Sequence, residues 1–333
     1  MSPHQDKIDT IYFGGGTPSL LSLAQVEQIL SAVRNHFSIL ENPEVTVEAN
    51  PDSIDYDYAT GLVSLGVNRV SIGIQSFDDT MLSRVGRLHT AAQGRKAVEA
   101  VFQGGIDNIS IDLIYGLPGY NMPVLQHDLA VLGSLPVTHA SIYSLIVEEH
   151  TMLWDAYRKN RIELPDEDEM TRFAETIWQR MAELGFVHYE ISSYCRPGRL
   201  SKHNSKYWQY EPYLGFGASA HSFYGNVRYA NLRNIHDYMR NAGKQSVVAE
   251  QVVISRKRAM EDYCFLALRM KQGIIYKEFN KYFNICITEE FGKIIRELQE
   301  KGLLESNQDG CRLSKQGLLY GNYVFSQFIR DEA

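Results

Sequence analysis

A chain of 333 residues, 44% hydrophobic and 22% charged, has the makeup of a globular protein large enough for one big domain and a smaller one. Its formal net charge of −7 and sequence pI near 5.8 argue against general nucleic-acid binding. No apolar run approaches the ~18–20 residues of a membrane span, and the polar opening MSPHQDKIDT does not read as a signal peptide, so the expected location is cytoplasmic.

The first element is a β-prone run at Ile11, Tyr12 and Phe13, broken by Gly14, Gly15 and Gly16 before Thr17-Pro18. Three glycines at a strand end remove every Cβ, so backbone amides can come close to a polar ligand. A phosphate loop is excluded, because no Lys-Ser/Thr follows and the spacing is not G-x-G-x-x-G. Ser22 and Gln25 have capping-box spacing for the helix that follows, whose expected buried face is Leu23, Val26, Ile29, Leu30, Val33 and Phe37. Strands are then predicted at 45–49, 69–74, 108–114, 138–145 and 187–191. Helices are predicted at 54–65, 78–85, 90–102, 124–135 and 167–184.

Strands alternating with helices imply a parallel sheet, and this count suits a (β/α) barrel, whole or incomplete, better than a sandwich, with a doubly wound open sheet as the alternative. Gly15-Gly16-Thr17, Glu48, Gln75, Asp112 and Ser144 fall near the C-terminal ends of successive strands, where one ligand is reached from many strands at once. Residues 193–233 lose helical periodicity and are dense in aromatic, glycine and basic residues: either a packed loop closing the barrel or the wall of a flat aromatic ligand's pocket. Beyond 254 the chain turns helical, with a short hairpin near 303–313 and a helix over 316–328, a winged-helix-like pattern without a pronounced basic face. Cys195, Cys264, Cys286 and Cys311 are scattered and form no CxxC or CxxxC pair, so no zinc or iron–sulfur motif can be read from them.

IYFGGGTPSLL, VEANPDS, GVNRVSIGIQSFDDTMLSRVGRLHT, IDLIYGLPG and SKHNSKYW, in this order across essentially the whole chain, resemble the HemN/HemW branch of the radical S-adenosylmethionine (SAM) family. The resemblance implies an α/β fold: a partial radical-SAM-type (β/α) barrel with a C-terminal, mainly helical, winged-helix-like domain. It implies a barrel over 1–192 lacking its first unit, an aromatic-rich closing segment over 193–250 and a HemN-like domain over 251–333. The family's SAM contacts carry over to Gly15, Gly16, Thr17, Glu48, Gln75, Arg87, Asp112 and Ile146.

Two activities compete within the branch. One is oxygen-independent coproporphyrinogen III oxidation, a radical decarboxylation; the other is haem binding and delivery to recipient apoproteins by a haem chaperone. His203-Asn204-Ser205-Lys206-Tyr207-Trp208 matches the HNxxYW motif of the chaperones, which favours that reading, with His203, Tyr207 and Trp208 as haem contacts and His203 as the candidate ligand to haem iron. His221 is a second nitrogen donor, and Arg196, Arg199, Lys202 and Lys206 are propionate partners in that reading. The family's [4Fe–4S] cluster is held by a CxxxCxxC segment upstream of the glycine strand. This chain starts just before that strand, so the expectation is a truncated or cluster-less member that keeps a SAM- and tetrapyrrole-binding scaffold, with no catalytic residue assigned. The expected partners are haem and haem-receiving proteins, not nucleic acid; a membrane span is not expected, and peripheral membrane contact stays open.

Overall fold

A computed structural model describes residues 7–330; the opening MSPHQD, part of the stretch read above as no signal peptide, lies outside them. The chain divides into two compact units, one ending at His203 and the other beginning at Asn204. In the first unit, in chain order, are β1 (Lys7–Phe13), α1 (Leu23–His36), β2 (Ser38–Ala49), α2 (Tyr56–Ser64), β3 (Arg69–Gln75), α3 (Asp79–Arg84) and α4 (Ala91–Gln103). These are followed by β4 (Asn108–Tyr115), α5 (Met122–Ser134), β5 (His139–Ser144), α6 (Met152–Arg158), α7 (Glu167–Glu183), β6 (Val187–His188) and β7 (Ser193–Cys195). The helix α8 (Lys202–Trp208) contains the division between the units.

The sheet order is β1-β2-β3-β4-β5-β7-β6, with β1 to β5 all parallel. Each parallel strand is added beside the one before it and the order never reverses, so the sheet is a curled half-barrel and not a doubly wound sheet with a switch point. The last strands depart from the expected βα rhythm. The single strand predicted at 187–191 is instead the two-residue β6, and β6 and β7 form a hairpin that pairs antiparallel to β5. The turn is closed locally: Tyr189 N–H donates to the Ser193 carbonyl, and Ser192 N–H donates to the Glu190 carboxylate at 3.1 Å.

Helix starts follow their capping chemistry. Capping boxes form at Ser22/Gln25, Thr90/Gln93 and Asp166/Glu169, and Asp55 and Asn121 cap α2 and α5. On α1 only Val26 and Leu30 are buried, and Ile29 is 41% exposed, so the apolar stripe is narrower than predicted. The sheet's apolar face, including Val47, Val70, Ile72, Ile109, Ile111 and Ala140, packs against buried residues of α1, α2, α4, α5 and α7. The other face is polar, and register shows how consistently. Tyr12, Thr46, Arg69 and Asn108 stand side by side on four strands, as do Glu48, Ser71, Ser110 and His139.

The second unit holds a three-stranded antiparallel sheet of β8 (His221–Tyr224), β9 (Val227–Asn231) and β10 (Val248–Val253), with α9 (Ile235–Asn241) between the last two strands. Then come α10 (Arg256–Ala267), β11 (Ile274–Ile275), α11 (Tyr276–Phe283), α12 (Ile287–Glu300), β12 (Leu304–Ser306), β13 (Gly310–Leu313), α13 (Lys315–Leu319) and α14 (Gly321–Gln327). The predicted hairpin is β12–β13, joined by β11 into a small sheet beside the helices. The helix predicted over 316–328 is broken at Tyr320 into α13 and α14, and α11 was not foreseen. The stretch after 203 is therefore not a structureless closing loop. Its strands are short and two-sided, which hides them from a periodicity test. Among the described residues no helix is long and apolar enough to cross a membrane.

One buried carboxylate organises the turn after β3. Asp128, on α5 and 1% exposed, accepts from Ser76 Oγ, from the Phe77 N–H at 2.6 Å and from Tyr120 Oη at 3.1 Å. Asp128→Ala leaves all three donors buried without their acceptor, and the expected loss is about 3–5 kcal/mol of unfolding free energy. Urea denaturation checks it; a loss under about 1 kcal/mol would show that the turn does not depend on this carboxylate.

Candidate functional site at the half-barrel rim

The glycine turn after β1 is built by two neighbours. A Cβ on Gly14 would stand 2.7 Å from the Tyr12 ring and 3.3 Å from Glu48 Oε1, so only glycine fits there. Gly15 and Gly16 sit at φ of +78° and +62°, in the left-handed region, with open space where a side chain would be. Glu48 closes the turn: Tyr12 Oη donates to Oε1 at 2.6 Å, and the Gly15 N–H donates to Oε2 at 3.2 Å. Burial, reinforced by the Glu48 charge, pushes the Tyr12 phenol far above its ordinary range, so it stays a donor.

Further along the same face, Gln75 ends β3 at φ +72°, a strained conformation for a residue with a side chain, and is 7% exposed. Asp112 lies on β4 beside Ser141, to which it is hydrogen-bonded, and its pKa is raised to about 6. Burial is the main cause; Arg69 opposes it, Glu48 adds to it, and Arg87 opposes it more weakly. Arg87, on the segment after α3, thus stands within electrostatic reach of Asp112. Thr17 leads out of the glycine turn, and its Oγ1 accepts from Asn50 Nδ2 at 3.4 Å. Ile146 lies on the loop after β5 and is 73% exposed. Of the eight residues named for SAM, Gly15, Glu48, Asp112 and Arg87 are linked by these bonds and fields. Gly16, Thr17 and Gln75 occupy the adjoining strand ends, and no recorded contact ties Ile146 to the others.

The sequence reading passed over several interior groups. Arg69 is 1% exposed, and its Nε and Nη1 have no hydrogen-bond partner among the described residues, nor does the neighbouring Thr46 Oγ1. His139 is kept neutral by burial and then by Arg69, and bridges Ser110 Oγ and Tyr189 Oη, each at 2.8 Å. The alternation in VTVEA and RVSIGI carried the signal, since it sets Thr46, Glu48, Arg69 and Ser71 on one face opposite the valines and isoleucines.

His203 belongs to this unit. Its ring stacks on Tyr12 at 4.8 Å and its Nδ1 lies 2.8 Å from Thr10 Oγ1. The Lys202 and His203 N–H groups both donate to the buried Glu44 carboxylate, which fixes the start of α8. Tyr207 and Trp208 belong to the other unit. There Tyr207 meets Tyr213 edge-on at 4.7 Å, and Trp208 carries the Arg269 guanidinium 4.1 Å from its ring centroid. His221 is exposed on β8. Three of the four cations read as propionate partners are already engaged: Arg196 with the Leu184 carbonyl and the Phe186 ring, Arg199 with Asp107 at 2.7 Å, and Lys206 with Glu211 at 2.6 Å. Lys202 is exposed, and its backbone N–H is held by Glu44.

The fold and this rim define a member of the radical SAM superfamily: residues 2–130 match the Radical SAM superfamily model, and residues 254–320 match the HemN C-terminal domain. A solved structure of the Escherichia coli coproporphyrinogen III oxidase HemN superposes with a TM-score of 0.82 at 20% identity, covering 97% of this chain and 78% of that one. Among curated proteins, the heme chaperone HemW of Lactococcus lactis is 37% identical over 98% of this chain and 86% of its own length. The Bacillus subtilis protein of the same name is 34% identical with the same coverage. The chain belongs to the HemW family.

That superfamily implies SAM and a [4Fe–4S] cluster. The residues present fit the first: a glycine turn with outward space, carboxylates at two depths and an interior of polar side chains. They do not fit the second. Cys195, Cys264 and Cys311 are buried in packed cores, Cys286 is exposed at the start of α12, and among the described residues no cluster of His, Cys, Asp and Glu has metal-site geometry.

The interior charges act on one another, and this can be measured. Because Asp112 titrates near 6 in the folded protein and near 3.8 unfolded, folding favours its protonated form. Its charge therefore opposes folding at neutral pH, by up to about 3 kcal/mol, and not below pH 3.8. Asp112→Asn should stabilise the chain at pH 7.5 and lose that advantage as pH falls toward 4. Arg69→Met should move the Asp112 pKa further up, read by carboxyl ¹³C NMR titration. An unchanged pKa in Arg69→Met would show that Arg69 does not balance Asp112.

Proposed function

We propose that this chain is a haem chaperone of the HemW type, binding haem and passing it to recipient apoproteins, on a scaffold whose rim binds SAM. The observation that carries this reading is the near-full-length relationship to proteins named as heme chaperones. The likeness to the oxidase structure bears on fold alone. The proposal extends to a cytoplasmic site of action.

For haem, the reading rests on His203. A metal-ligating imidazole is normally oriented by contacts around its ring, and Thr10 at Nδ1 with Tyr12 beneath the ring supports His203 as the candidate iron ligand. Trp208 is taken up by Arg269 and has the weaker claim on haem. When bound, SAM would supply a sulfonium-activated carbon. This chain's contribution is to hold it: the Gly15 and Gly16 amides, Thr17 and Gln75 supply polar contacts at the strand ends. Glu48 and Asp112 accept from hydroxyl or ammonium groups, and Arg87 tempers the Asp112 charge.

Haem titration followed by Soret absorbance, on wild type, His203→Ala and His221→Ala, tests the first part, with circular dichroism as the folding control. The expected result is a displaced Soret band and weaker uptake in His203→Ala alone, together with transfer of haem from wild type to an apo-acceptor. Identical bands in all three proteins would remove histidine ligation from this segment, and no uptake at all would remove the chaperone reading. The second part predicts a pH profile. If Asp112 accepts from SAM as a carboxylate, affinity rises up to about pH 6 and then levels off, by roughly tenfold per unit on the acid side. Calorimetry that finds a flat profile would place SAM away from Asp112.

A further inference from the structure

The second unit contains a cavity of about 280 Å³, with Trp208 on its wall. Trp208, Tyr263, Tyr282 and Met270 form aromatic and thioether walls, and Glu211 and Glu278 stand among them. None of its described lining residues is Lys, Arg or His. Tyr263 is 6% exposed and meets Tyr282 at 5.6 Å between ring centroids, so this wall is held by core packing. Glu211 is neutralised by Lys206 at 2.6 Å. Glu278 pairs with Lys281 at 3.7 Å, both side chains facing solvent, so this pairing is weak. Trp208 already binds a cation over its ring, the Arg269 guanidinium at 4.1 Å.

Aromatic faces together with a weakly paired carboxylate attract cations, and partial removal from water strengthens the attraction. Pockets that hold drug-sized molecules run from about 300 Å³ upward, so a volume of about 280 Å³ accommodates a single side chain and not a tetrapyrrole. The acidic lining also repels a tetrapyrrole's carboxylates. We propose that this cavity is a recognition site for a lysine or arginine side chain presented by a partner protein, with Glu278 as the counter-charge and Trp208, Tyr263 and Tyr282 as the enclosing faces. The proposal does not depend on haem or SAM binding.

The test uses the full chain and three probes: butylammonium, a capped tripeptide with a central lysine, and the same peptide acetylated on Nζ. Binding is read from the indole N–H resonance of Trp208 in ¹H–¹⁵N spectra, assigned with Trp208→Phe. The expected result is a saturable shift with both ammonium probes, no shift with the acetylated peptide, and at least fivefold weaker binding of the lysine peptide in Glu278→Gln. Tyr282→Phe should retain binding, since the ring and not the hydroxyl is used. Equal shifts from the charged and acetylated peptides would show an apolar cleft without charge recognition. Binding of butylammonium but not the peptide would make the site one for small free amines. Either result, unchanged affinity in Glu278→Gln, or no shift with any probe would overturn the proposal.

Discussion

The bridge made by Glu48 is the contact on which the rim depends. One carboxylate joins a phenol on β1 to the amide of the glycine turn that follows it, and so ties the end of the first strand to the second. Without a Cβ at position 14 the Tyr12 ring and Glu48 can close over the backbone, and with one they cannot. The same ring supports His203, and a second acid on β2, Glu44, holds the first amides of α8. Two carboxylates four residues apart on one strand therefore position both the glycine turn and the histidine.

These acids sit on the face of a parallel sheet, where apolar residues are the rule because helices normally cover both sides. Here one face obeys the rule and packs against five helices, while the other carries Thr46, Glu48, Arg69, Ser71, Ser110 and Asp112. Burying such groups is unfavourable unless partners or ligands satisfy them. The protein meets part of the need internally, with Arg69 set against Asp112 and His139 held neutral between two hydroxyls. It leaves part unmet, in the raised pKa of Asp112 and in the open N–H groups of Arg69. An interior destabilised in this way has the character of a binding site, and a purely structural barrel would have filled it with aliphatic side chains.

Much of this was legible in the sequence because the signals were local. A strand ending in three glycines, capping residues at fixed offsets and strands alternating with helices need no tertiary knowledge, and β3 to β5 and α1 to α5 lie within a few residues of their expected positions, while β2 begins seven residues before its expected start. What escaped depended on distant pairing. One exception is local: a turn closed by the Glu190 carboxylate and a Tyr189–Ser193 backbone bond makes a hairpin where a parallel strand was expected. The Asp128 cluster joins residues about fifty positions apart, and Glu44 reaches across more than a hundred and fifty to start α8. The cations of residues 196–206 looked free in the sequence because nothing there announces Asp107 or Glu211 as partners. Trp208 belonged to a recognisable motif, yet its surroundings are set by α10 and α11 and the turns that follow them.

The central claim is that the glycine turn, Glu48, Gln75 and Asp112 form one ligand site on the concave face of the half-barrel. The most direct measurement is a titration of the ¹⁵N-labelled chain with SAM, following backbone amide resonances. The account predicts that Gly15, Gly16, Gln75 and Asp112 shift together along one saturation curve, with the amides of residues 256–327 unmoved. Shifts confined to those C-terminal residues, or different saturation curves for Gly15 and Asp112, would contradict it.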